Sequence, residues 1–166
     1  LALIEGEPMI RVVASAYGEL CGRATVVVAP DPRLVEALAG LLVDIVVNAH
    51  SQQGISSSIV AAIEASGTHP AVMIALGDEP RVDRSLVMKV MQLWHETRAP
   101  VVVPRYNGET GHPVLFDEAI YPDLRGLKGD RGARGLIDLY GDRVQSVDVE
   151  GPRPLDIDVV ADLERI

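Results

Sequence analysis

Four groups of residues in this chain could do chemistry. Asp78 follows a short apolar run, residues 71–76, and Gly77. Asp156 and Asp158 form a second acidic site after the last predicted strand. If a sheet brings the two sites together, they offer the hard oxygen ligands that Mg²⁺ prefers, with substrate phosphates completing its shell. The other reading of Gly77-Asp78 is a turn that caps the helix after Pro80. His112, between Gly111 and Pro113, sits where glycine lets a ligand approach and proline stiffens the backbone. A structural or simply exposed histidine is the alternative there. The fourth group is the run of Gly126, Gly129, Gly132 and Gly135 with Lys128, Arg131 and Arg134 among them. Backbone N–H groups beside cations at a predicted helix start make an anion site, and the alternative is a solvated connector.

The elements that must position these residues follow from apolar periodicity. Residues 8–20 read as an amphipathic helix with Ile10, Val13, Ala14 and Tyr17 inward, ending near Gly22. Residues 24–29 read as a buried strand. Pro30-Asp31-Pro32 opens a second helix with Leu34, Val35 and Leu38 inward, and residues 44–48 form the next strand. A polar loop leads to Gly54, and residues 55–65 form a helix opened by Ser56-Ser57-Ser58. Residues 71–76 have turn residues at both ends, which suits a strand buried on both faces. A helix over 82–96, with Asp83 as its cap, and a strand over 100–103 come next.

After Pro104 the alternation breaks. Residues 105–111 read as a loop, 112–116 as a short strand, 117–124 as a short helix, 131–140 as another helix and 144–149 as an alternating strand. The expectation is a doubly wound α/β sheet, mostly parallel, with an insertion and an antiparallel edge. The Asp78 site would then lie beyond the carboxyl end of a strand, where such sheets bind ligands.

Composition narrows the function. A chain of 166 residues supports one domain. With 48% hydrophobic and 23% charged residues it is globular, and with one Phe and one Trp its core must be aliphatic. A formal charge of −9 argues against the basic face that nucleic acids require. No apolar stretch is long enough to span a bilayer, and Cys21 alone allows no internal disulfide. A soluble, cytoplasmic protein with neither nucleic-acid nor membrane partners is expected. Cys21 itself is expected to pack on a helix face.

Five strings then match one family in order: GISSSI (54–59), LGDEP (76–80), VPRYNGETGHPVLF (103–116), GDRGAR (129–134) and LDID (155–158). Together they resemble the MobA-like nucleotidyltransferases, most closely the molybdopterin cytidylyltransferase branch. The resemblance implies a Rossmann-like (GT-A-like) three-layer sandwich. It also implies transfer of CMP or GMP from CTP or GTP to the phosphate of molybdopterin, with release of pyrophosphate. Mg²⁺ would be the cofactor. Asp78 would be its ligand, and Asp158, or less favourably Asp156, the second metal-side carboxylate. Gly54, Ser56, Ser57, Ser58, Gly77, His112, Pro113, Gly129, Asp130, Gly132 and Arg134 would line the nucleotide and pterin-phosphate sites. A molybdoenzyme or its chaperone would be the protein partner. Family members also carry a glycine-rich loop, LAAGxSxRMGxxK, that cradles the triphosphate. Residues 1–8 resemble the segment just after it, so the single domain over 1–166 reads as lacking that loop and its strand. The same fold also suits a sugar-phosphate or phospholactate-type acceptor, or a catalytically silent cofactor-binding module.

Overall fold

In the computed structural model, residues 1–154 are described. Leu3–Ile4 (β1) and Glu7–Pro8 (β2) form a small antiparallel hairpin. Met9–Cys21 is α1, Thr25–Val28 β3, Pro32–Ala37 α2 and Asp44–Val47 β4. Ile55–Ala65 is α3, Ala71–Ile74 β5 and Arg84–Thr97 α4. Val101–Tyr106 (β6), Glu109–Thr110 (β7) and Val114–Asp117 (β8) follow, then Tyr121–Arg125 (α5), Arg134–Tyr140 (α6) and Val144–Val149 (β9). The expected strand and helix alternation is present through β6.

Two sheets result. β3 and β4 pair in parallel, Val26 opposite Ile45 and Val28 opposite Val47. The larger sheet runs β5-β8-β6, with β7 and β9 also paired to β6. β8 is antiparallel to both β5 and β6, while β9 is parallel to β6. Hence β5, β6 and β9 share one direction, as an α/β sheet requires. The antiparallel strand is not at an edge as expected: β8 lies between two parallel strands. A tight turn returns the chain directly beside β6, so pairing there completes the backbone hydrogen bonds of buried strands.

That turn is a signal read as loop in the sequence. Asn107 and Gly108 both have positive φ, at 51° and 89°. Asn-Gly is the favoured pair for a two-residue hairpin because both positions need left-handed backbone. β6 therefore runs on to Tyr106 instead of ending at Val103, and β7 pairs Thr110 with Arg105.

Helices cover both faces. Ile59 and Ile63 of α3 pack with Val101, Val103, Val114 and Phe116 on one side of the larger sheet. Leu86 and Val90 of α4 pack with Val102, Tyr106 and Leu115 on the other. The alternation of Val101, Val102 and Val103 between these clusters is the period-two signature of a strand buried on both faces. A third cluster joins Ala14, Val28 and Leu38. Arg11 ties α1 to α2 there, its guanidinium donating to the carbonyls of Ala37 and Ala39 at 3.0 and 2.9 Å. These carbonyls lie at the end of α2, where helix oxygens lack partners. Asp83 caps α4 as expected, accepting from the N–H groups of Ser85 and Leu86 at 2.9 and 3.1 Å. Two expectations fail: Val35 is largely exposed, and Cys21, the last residue of α1, is exposed rather than packed.

Phe116 is fully buried at the centre of the first cluster. Phe116→Ala should cost about 3–5 kcal/mol, transfer and cavity terms together. Urea unfolding with an unchanged m-value checks this; a loss below about 1 kcal/mol would show that the cluster collapses into the space.

Candidate functional site

The chain turns sharply after β5, and this turn carries Asp78 and Glu79. Asp78 is half-buried and Glu79 is only 8% exposed. The β5–β8 register pairs Ile74 with Val114. His112, two residues before Val114, therefore lies at the same end of the sheet as Asp78 and Glu79. His112 Nδ1 is 3.5 Å from Glu79 Oε1. Tyr106, at the carboxyl end of β6, and Tyr17 of α1 face the same region. Burial first, then the Glu79 carboxylate, raises the hydroxyl pKa of both tyrosines. Both therefore keep their protons at neutral pH and can serve as donors.

Gly111 is buried, and any side chain there would collide with the Tyr106 ring at 2.6 Å. Pro113 is buried behind His112, joined to it by a cis peptide bond. Gly77 is exposed with open space around it, so nothing steric demands glycine there.

The second grouping is built on the start of α3, at the carboxyl end of β4. Asn48 is 5% exposed and organises it. Its amide donates to Ser57 Oγ at 2.9 Å and Ser58 Oγ at 3.1 Å, and its carbonyl oxygen accepts from the His50 N–H at 2.9 Å. Ser57 Oγ in turn donates to the carbonyls of Gly54 and His50 at 2.8 and 2.9 Å. The Ser56 N–H donates to the Gly129 carbonyl at 3.2 Å, and Ser56 Oγ is buried without a partner among the described residues. Ser57 and Ser58 are thus held inside the loop, and the free polar group is Ser56.

Gly54 has φ of +97° and touches the 129–132 loop; a Cβ there would lie 2.7 Å from the Gly129 carbonyl and overlap the Asp130 carboxylate. Gly132 is buried with φ of +54°, its position for a Cβ 3.0 Å from Ile55. The structure therefore brings Gly54, Ser56, Gly129, Asp130 and Gly132 together, as the sequence suggested.

The predicted helix over 131–140 begins only at Arg134, because Gly129 and Gly132 both take left-handed backbone that a helix cannot accommodate. α6 is therefore short, and the expected helix-start anion site is not formed as a long helix terminus. Lys128, Arg131 and Arg134 are exposed, with Arg131 3.6 Å from Asp138.

A single half-buried carboxylate at a strand end suits Mg²⁺, which keeps several waters and uses one or two carboxylates plus phosphates. Asp78 meets that requirement. Among the described residues no group of three His, Cys, Asp or Glu forms an all-protein metal cage. Asp156 and Asp158 lie outside the described residues. A cavity of about 680 Å³ runs along the amino end of β5, lined by Met73, Met88, Met91 and Trp94. It is mostly apolar and lies away from the carboxyl-end turn that carries Asp78.

Asn48 and Glu79 were missed in the sequence. Asn48 is a polar residue directly past a strand and before a turn, and Glu79 directly follows the Gly77-Asp78 turn, which was the available signal.

The model of the MobA-like NTP transferase domain matches residues 1–146. The chain belongs to the MobA-like NTP transferase family. It carries the nucleotidyltransferase domain of that family on an α/β fold with a mixed sheet. Solved structures agree on the fold. Rv0371c from Mycobacterium tuberculosis, solved with manganese, superposes with a TM-score of 0.81 at 23% identity, covering 99% of this chain and 88% of that one. Its homologue from Mycobacterium sp. strain JC1 gives 0.76 at 25% identity, covering 99% and 84%. The 4-diphosphocytidyl-2C-methyl-D-erythritol synthase of Anaerococcus prevotii gives 0.78 at 12% identity, covering 98% and 86%. A comparison with curated protein sequences finds no match. No helix among the described residues is long and apolar enough to cross a membrane.

Gly54→Ala should push the 129–132 loop off α3, since both the positive φ and the collision oppose a side chain. A stability loss above about 1 kcal/mol is expected, with faster amide exchange at Ser56. Unchanged exchange at that amide would show that the loop contact does not depend on glycine.

Proposed function

We propose that this nucleotidyltransferase moves CMP or GMP from CTP or GTP to the phosphate of molybdopterin, releasing pyrophosphate. The observation that supports this reading is the position of His112. It comes from the GHPVLF string and lies 3.5 Å from Glu79, the residue next to Asp78. A terminal phosphate oxygen of the acceptor attacks the α-phosphorus, that bond forms as the bond to pyrophosphate breaks, and the protein supplies position and charge compensation.

Asp78 would hold Mg²⁺, which would neutralise charge on the α-phosphate and the leaving pyrophosphate. Asp158 or Asp156 would be the second carboxylate. Gly54, Ser56 and the residues Gly129, Asp130, Gly132 and Arg134 would border the nucleotide. Ser57 and Ser58 would shape the same wall through Asn48. Gly77 would border the reacting phosphates, and His112 and Pro113 the nucleotide and the pterin. A net charge of −9 repels phosphates, so a metal ion and a few local cations must offset it.

A sugar-phosphate or related acceptor is the second reading. It is favoured by neighbours named as a CMP:2-keto-3-deoxy-manno-octonic acid synthetase complexed with CTP and a diphosphocytidyl-methylerythritol synthase.

Pyrophosphate release from CTP and from GTP, measured with molybdopterin and with a sugar-phosphate panel, separates the two. Molybdopterin-dependent release is expected, and release only with a sugar phosphate would select the second reading. Asp78→Asn should lower kcat/KM by roughly a hundredfold to a thousandfold, as loss of several kcal/mol of metal-borne stabilisation requires. Full activity in that variant would exclude Asp78 as the metal ligand.

A further inference from the structure

Glu79 is nearly inaccessible, yet it carries a carboxylate that is costly to bury without a partner. Its Oε1 and His112 Nδ1 are both completely buried, and neither has a hydrogen-bond partner among the described residues. They face each other at 3.5 Å. The His112 side chain is 27% exposed, so the part of the ring open to a ligand is not Nδ1. Hydrogen bonds of this kind are often long in unliganded sites and shorten when substrate binds. Neither residue is free to move far: Pro80 follows Glu79, and buried Pro113 follows His112.

We infer that Glu79 is a positioning residue: it accepts the Nδ1–H of His112 and so leaves Nε2 as a hydrogen-bond acceptor facing the substrate. In a neutral imidazole one nitrogen donates and the other accepts, and the partner of the first fixes the role of the second. Opposite the neutral ring the substrate group is therefore an N–H or O–H donor, such as a heterocycle amine or a hydroxyl. It is not a fully ionised phosphate oxygen. The inference deepens the nucleotidyltransferase reading, because the group His112 recognises would belong to the nucleotide or to the acceptor.

The test reads the tautomer directly. Imidazole ¹⁵N spectra of the intact protein, recorded at about pH 9 where an ordinary histidine is neutral, distinguish Nδ1–H from Nε2–H. His112→Gln assigns the signal among the four histidines. The Nδ1–H form is expected in the wild type and in Glu79→Gln, whose side-chain carbonyl still accepts. Glu79→Leu should shift the ring toward Nε2–H. An Nε2–H ring in the wild type, a ring carrying both protons at that pH, or no change in Glu79→Leu would overturn the inference.

In the pyrophosphate assay, Glu79→Leu and His112→Leu should lose the same factor, about tenfold to a hundredfold, and the double variant no more than His112→Leu alone. Additive losses would mean that the two residues act separately. Absence of any turnover in the wild type would count against the proposed function, while the spectra would still decide the pair.

Discussion

The pairing of β8 between β5 and β6 is the constraint on which the candidate site of this protein depends. With Ile74 opposite Val114, the turn after β5 and the turn before β8 must meet at one end of the sheet. That end is also the carboxyl end of β6 and β9, since both run with β5. A shift of one residue would exchange the faces of Val114, Leu115 and Phe116 and break both helix-facing clusters. The hydrophobic core therefore holds the register, and the register holds the distance between Glu79 and His112. Packing energy at Val101 and Phe116 is converted in this way into geometry at polar atoms.

The site follows a consistent division of labour. Atoms that must stay fixed are bonded within the protein: Asn48 binds Ser57 and Ser58, and Gly129 receives the Ser56 N–H. Groups able to meet a ligand are the half-buried ones, Asp78 and His112, together with the exposed cations Lys128, Arg131 and Arg134. Such support matters for phosphoryl-type transfer, in which the protein contributes orientation and charge more than covalent chemistry. Glycines at Gly54 and Gly132 serve the same end. At Gly54 a loop lies against a helix start at a distance no side chain permits, and Gly132 supplies left-handed backbone beside Ile55.

Electrostatics sets the remaining requirement. The chain carries 24 acidic and 15 basic side chains, so a polyphosphate approaches against a net repulsion. A divalent cation held at Asp78, as proposed, would reverse the local sign without changing the whole. Tyr17 and Tyr106 add donors that stay protonated, because burial and the Glu79 charge both oppose their ionisation.

The sequence alone determined the strand and helix alternation, since apolar runs bounded by turns admit few other readings. Residues 55–65 and 144–149 were read with the boundaries the structure has. It also put Gly54 and Gly129, which the structure brings into contact, in one candidate site, because short ordered strings carry a family's loops. What it could not determine was pairing. That β8 lies inside the sheet, that Asn107-Gly108 is a hairpin rather than a loop, and that Glu79 faces His112 across 33 residues are long-range matters. Local propensity says nothing about which strand lies beside which; that choice belongs to the assembled core, where burial of both faces decides among alternatives each segment allows by itself.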